Sequence, residues 1–106
     1  MFQKIIDILD QEGSGLYGFN KCAEVAVQCG LDHPDAAGPF LLLSFAANRF
    51  ASRCEDGQAL DPAVAEKEYS LFKSYISRFE KAYTQPDKDQ QLVTLNAIAV
   101  EILKNR

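Results

Sequence analysis

Few residues in this chain could do chemistry. Cys22, Cys29, Cys54 and a single histidine, His33, are all the cysteine and imidazole that 106 residues contain. A nucleophilic thiolate needs a base or cation beside it to lower its pKa, and a zinc site needs ligands that converge, usually with a C-x-x-C pair among them. No C-x-x-C occurs. Cys22 and Cys29 are seven apart, two turns or roughly 10 Å along a helix, so one helix cannot bring both to one ion. Cys29 and His33 can approach each other across Gly30, and Cys54 can join them from a later segment. The expected role of all three thiols is nevertheless that of small apolar core groups. Their odd number and scattered positions favour reduced thiols in a cytoplasmic compartment.

Residues 13–18 read GSGLYG, the G-x-G-x-x-G spacing that cradles a dinucleotide phosphate when it follows a buried strand and opens a helix. Residues 16–29 have a helical pattern, and Asp35 lies near the distance at which an acid would bind the ribose. Against this, Asp10, Gln11 and Glu12 separate the preceding apolar run from the first glycine, where that fold needs a tight turn. Phe2, Ile5, Ile6 and Leu9 fit one helical face. An open parallel sheet needs several strands, and only residues 4–9 and 40–45 resemble any. The glycines are therefore expected to relieve a bend between two helices.

Other constellations carry less. AVQCGLD at residues 26–32 imitates the turn of a helix-turn-helix, but the helix that would read DNA has Phe40, Leu41, Leu42 and Leu43 as its body. Those side chains make no base-edge or phosphate hydrogen bonds. Asp32, Asp35, Glu55 and Asp56 fit helix-end positions. Ser44, Asn48, Ser52 and Glu55, with Arg49 and Arg53 beside them, fit the solvent side of an amphipathic helix. No nucleophile elbow or Ser/His/Asp order stands out, so no residue presents itself as catalytic, and no metal or cofactor is expected.

The elements that must position these residues are helical. One helix is expected over 2–12. A second over 16–29 carries Cys22, Val25, Ala26 and Cys29 on one stripe and stops at Gly30. A loop or single turn follows at LDHPDAAG, and a third helix runs from Pro39 to Cys54. The fourth starts at Asp61–Pro62 and runs to Tyr83, with Ala65, Tyr69, Phe72, Ile76, Phe79 and Tyr83 on a heptad-like seam widened by Tyr75 and Ala82. The fifth starts at Asp87, with Gln90 completing a capping box, and is apolar nearly all round. The expected fold is a single all-α domain over residues 1–106, a small bundle of about five helices, orthogonal or up-down.

Charge narrows the classes of partner. The net charge is −4, with residues 1–61 at −5 and residues 62–106 at +1. An acidic chain whose basic residues are interleaved with Glu66, Glu68 and Glu80 lacks the footprint that supplies nucleic-acid affinity. The longest apolar run, PFLLLSFAA, stops at Asn48 and Arg49, short of the 20 or so residues a membrane span needs. MFQKIIDILDQ does not resemble a secretory signal. What remains is more apolar helix surface than one small core absorbs. The expectation is a non-catalytic protein-interaction or regulatory module that binds a protein partner or a second copy of itself. Tyr69, Phe72, Tyr75, Phe79, Tyr83, Phe40 and Leu41 are its contact candidates. Two alternatives stand beside it. One is a small-molecule carrier whose aromatic residues and cysteines line a pocket between helices; the other is a small regulator whose acidic N-terminal half, with Asp7, Asp10 and Glu12, docks on a basic surface.

Overall fold

The computed structural model describes residues 1–12, 15–55 and 62–105, of which residues 54 and 55 by backbone alone. Among these the fold is all-α, as the periodicity predicts: α1 (Gln3–Glu12), α2 (Leu16–Asp32), a 3-10 turn (Pro34–Ala36), α3 (Ala37–Glu55), α4 (Pro62–Tyr83) and α5 (Lys88–Lys104). The expected Asp61 cap lies outside the described residues.

Three boundary details differ from expectation, each for a local reason. α2 runs through Gly30 to Asp32 rather than stopping at the glycine. A Cβ built on Gly30 would stand 3.2 Å from Phe40 Cβ, so this glycine permits a close approach of two helices instead of ending one. The stop comes at His33, where the His33 N–H donates to Cys29 O at 2.9 Å and Pro34 disfavours further helix. α3 begins at Ala37, two residues before Pro39; proline is tolerated there because first-turn N–H groups have no intrahelical acceptor. At the start of α5, Asp87 accepts from the Gln90 N–H at 3.1 Å, but the Gln90 side chain donates to Thr94 Oγ1 at 3.3 Å instead of returning to the cap. Half of the capping box is present.

α2 and α3 form an antiparallel hairpin, since Phe19 lies 5.2 Å from Phe50 at one end and Gly30 meets Phe40 at the other. α4 and α5 form a second, marked by the Arg78–Glu101 ion pair at 2.6 Å. α1 lies against α2 and runs along α4, with the Phe2 N–H donating to Glu80 at 3.3 Å and Asp10 3.8 Å from Lys73. The resulting body measures 42 × 26 × 17 Å.

Two aromatic groups organise the interior. Phe2 stacks on Phe40 at 4.6 Å and on Phe79 at 6.1 Å, joining α1, α3 and α4. Phe72 meets Phe19 and Phe50 edge-on at 5.7 and 5.9 Å, joining α2, α3 and α4. Tyr75, Ile98 and Ile102 extend the core to α5. A polar clasp closes that end. Arg53 on α3 lies 2.5 Å from Glu68 on α4 and donates to the Asn105 carbonyl just past α5. Glu68 is buried at this contact, although its position in the α4 pattern places it among exposed charges. None of the helices described is long and apolar enough to cross a membrane.

Candidate interaction surface

The α4 aromatics point inward. Phe72 and Phe79 are 0% exposed, Tyr75 is 1% and Phe40 on α3 is 0%. These four expected contact residues are taken up by the chain's own core, because the heptad-like seam is the side of α4 that meets α1, α2, α3 and α5. Tyr69 and Tyr83 are half-buried against the same core. Leu41 differs: it stands on the outer side of α3, 69% exposed.

Leu41 leads to a surface that the sequence does not single out. Val27 and Leu31 are four apart on α2; Leu41 and Phe45 are four apart on α3. Val27, Leu31 and Leu41 line one groove between the two helices, and Phe45 stands one turn beyond Leu41 beside Asn48, Arg49 and Ser52; Leu31 is 70% exposed and the others about half or more. The groove, about 330 Å³, is lined by Ala26, Val27, Gly30, Leu31, Ala37, Gly38 and Leu41, without a charged or hydrogen-bonding side chain among them. Gly38 also receives α5, since a Cβ there would stand 3.4 Å from a Leu95 methyl. Charged side chains adjoin it in sequence: Asp32 follows Leu31 and Asp35 lies two residues before Ala37, both exposed. Glu24 is exposed on α2, and Arg49 lies over the Phe45 ring at 5.5 Å. A pairwise count of apolar residues off the buried stripe of each helix finds Val27, Leu31 and Phe45; a search for aromatic seams does not.

α5 also exposes Leu92, Val93, Val100 and Leu103. The groove beside it, about 500 Å³ between α4 and α5, is of another kind: Arg78, Lys81, Gln85, Asp87 and Gln90 line much of it.

The chemical candidates have plain environments. Cys22 is fully buried, its thiol 3.8 Å from the Ile5 carbonyl, and burial pushes its pKa up to about 12. Cys29 is buried and its pKa is also raised, chiefly by burial, with Asp32 adding to the rise and Lys4 opposing it. Neither thiol has the lowered pKa of a nucleophile. His33 stacks on Phe40 at 6.4 Å and lines, with Met1, Lys4, Cys29 and Asp32, a shallow groove of about 390 Å³. Cys54's side chain lies outside the described residues. Among the described residues no three of His, Cys, Asp and Glu are grouped to hold a metal ion. Gly13 and Ser14 of the glycine motif lie outside them too, but its flanks are helices, α1 before and α2 after, where a dinucleotide site needs a strand. Of the polar strip on α3, Asn48 and Ser52 face solvent while Ser44 is buried.

No protein-family model, curated protein or solved structure matches this chain.

Proposed function

We propose that this chain is a non-catalytic protein-interaction module of regulatory type, working in the cytoplasm, and that the α2–α3 face is its contact surface. One observation carries the reading. Three large apolar side chains on two helices, Val27, Leu31 and Leu41, line a groove with a wholly apolar lining and face solvent, and Phe45 stands exposed one turn beyond Leu41. Scattered exposed leucines need no explanation, whereas a contiguous apolar patch built round a groove marks a surface that another molecule covers. The shape suits a macromolecule better than a small ligand, because the groove is open along the hairpin and holds no polar group to orient a small molecule. The cytoplasmic assignment is supported by Cys22 and Cys29 remaining free.

The test isolates tagged protein from the cells that make it and weighs the intact assemblies by native mass spectrometry, beside the Leu31→Glu/Leu41→Glu variant. A bound polypeptide, own or foreign, is expected on the parent and absent from the variant. A parent that carries none, or a variant that keeps it, refutes the reading.

A further inference from the structure

We infer that the occupant of the α2–α3 face is a second copy of this chain, forming a two-fold dimer in which the two hairpins pack as a four-helix layer. The inference rests on the interaction reading above and goes beyond it by naming the partner. Three properties of the face support it.

The first is self-complementarity. A two-fold interface needs protrusion and recess on one surface, because each copy must supply both. Here Leu31 and Leu41 protrude beside a floor made by Gly30 and Gly38. The two helices carry matching pairs at i, i+4, Val27–Leu31 and Leu41–Phe45, which is the pattern that buries hairpins against each other in four-helix bundles.

The second is charge. Two identical chains, each at −4, repel through most of their surfaces, and a two-fold axis sets like groups close together. The groove is free of charge, so it is a place where a copy can dock without that penalty. At the rim, Glu24 and Arg49 have opposite signs, and among the described residues neither is in an ion pair. With the two-fold axis parallel to the helices, α2 of one copy lies over α3 of the other and residues at one level meet. Phe19 lies level with Phe50 and Gly30 with Phe40. Val27 therefore falls level with Leu42, a residue from Leu41, Leu31 level with Gly38, and Glu24 level with Phe45, about one turn from Arg49.

The third is area. The four side chains offer roughly 400 Å² of exposed surface per copy at ordinary side-chain sizes. Two copies bury about 800 Å² of it, and a rim contribution of about 200 Å² from each copy brings the contact to the 1,200 Å² low end of stable interfaces. Buried area does not by itself set the affinity, so the dimer is sought across a wide span of concentration. Leu92, Val93, Val100 and Leu103 on α5 expose a comparable area, but they lie along one helix, and the groove beside it is lined largely by charged and amide side chains and so offers no apolar recess to receive a copy.

Sedimentation velocity on the purified recombinant chain, from about 0.5 to 200 µM, a span of about 3.5 kcal/mol in association free energy, decides the matter. The parent is expected to pass from monomer to dimer across that range. Leu41→Glu removes a residue exposed in the monomer, so its helicity and melting temperature should match the parent's while its dimerisation weakens at least a hundredfold. Val100→Glu on α5 should dimerise like the parent. Glu24→Lys and Arg49→Glu should each weaken the dimer several-fold, and the double variant should recover it, a pattern that a merely sticky patch does not produce. A parent that stays monomeric at the highest concentration overturns the second copy. If such a monomer, isolated from its own cells, holds a foreign polypeptide that Leu41→Glu loses, the interaction reading survives alone. A dimer that Val100→Glu splits and Leu41→Glu does not overturns both.

Discussion

Replacing Phe79 by alanine tests whether α4 turns its aromatic seam to the core or to a partner. Phe79 is 0% exposed, 6.1 Å from Phe2 and 6.2 Å from Tyr83 between ring centres. Truncation takes away roughly 130 Å² of buried apolar area, worth about 3–4 kcal/mol at 25–30 cal/mol per Å². The two aromatic contacts, counted at the low end of about 0.5–1.5 kcal/mol each, add about 1 kcal/mol. The sum, about 4–5 kcal/mol, falls within the range measured for buried Phe→Ala changes. For a chain of this size each kcal/mol lowers Tm by about 4–8 °C, so the variant should melt some 15–40 °C below the parent or fail to fold. Urea unfolding followed by far-UV circular dichroism measures the loss directly, with Leu41→Ala as the exposed control, expected within about 0.5 kcal/mol of the parent. If Phe79→Ala loses less than about 1 kcal/mol while a dimer dissociates, the seam belongs to an interface and the packing of α4 described above is wrong.

Removing the guanidinium of Arg53 by Arg53→Met strands the buried Glu68 carboxylate and the Asn105 carbonyl. Since Arg53 is one-third exposed, the loss should be about 1–3 kcal/mol rather than the larger figure for a fully buried pair. Adding Glu68→Leu should recover part of it in a double-mutant cycle of urea midpoints; no recovery would mean that the clasp is not a coupled pair. Burial raises the pKa of Cys22, Tyr75 and Tyr83, so the folded chain holds protons that the unfolded chain releases at lower pH. Their stabilising contribution is complete below the unfolded values near 9 and 10 and is lost as pH rises toward the folded values, about 12 for Cys22. Urea midpoints should therefore fall as pH rises above about 9, and Cys22 should resist alkylation at pH 8 until the chain unfolds; rapid labelling in buffer would contradict its burial. Gly38→Ala should gain a few tenths of a kcal/mol, since the new methyl meets a Leu95 methyl at ordinary contact distance but sits in the first turn and before Pro39, which reduces the helical gain of about 1 kcal/mol. Gly30→Ala should show no such gain, since its Cβ presses on Phe40 Cβ at 3.2 Å; equal gains at both sites would argue against that close approach.

The sequence by itself determined the helices and most of their ends. Spacings of three and four residues, Pro62 and the Asp87 cap are local signals, and the backbone answers them locally. It also weighed against the dinucleotide fold, since Phe2, Ile5, Ile6 and Leu9 fit a helical face where GSGLYG would need a strand, and α1 is that helix. Only the tertiary structure decided which apolar residues are spent on folding. Phe79 and Leu41 are both large apolar residues on amphipathic helices, and nothing in either helix alone tells which one a neighbour will cover. That depends on where the other helices lie. α1 brings Phe2 to Phe40 and Phe79, which closes the α4 seam, while no described element covers the outer side of the α2–α3 hairpin. The same reason explains Gly30 and Glu68. A glycine two residues before a helix end resembles a cap until Phe40 is found against it, and a glutamate among charges resembles solvent-facing helix until Arg53 reaches it from α3. Periodicity reports that a face is apolar; only the packing of five helices says what that face touches.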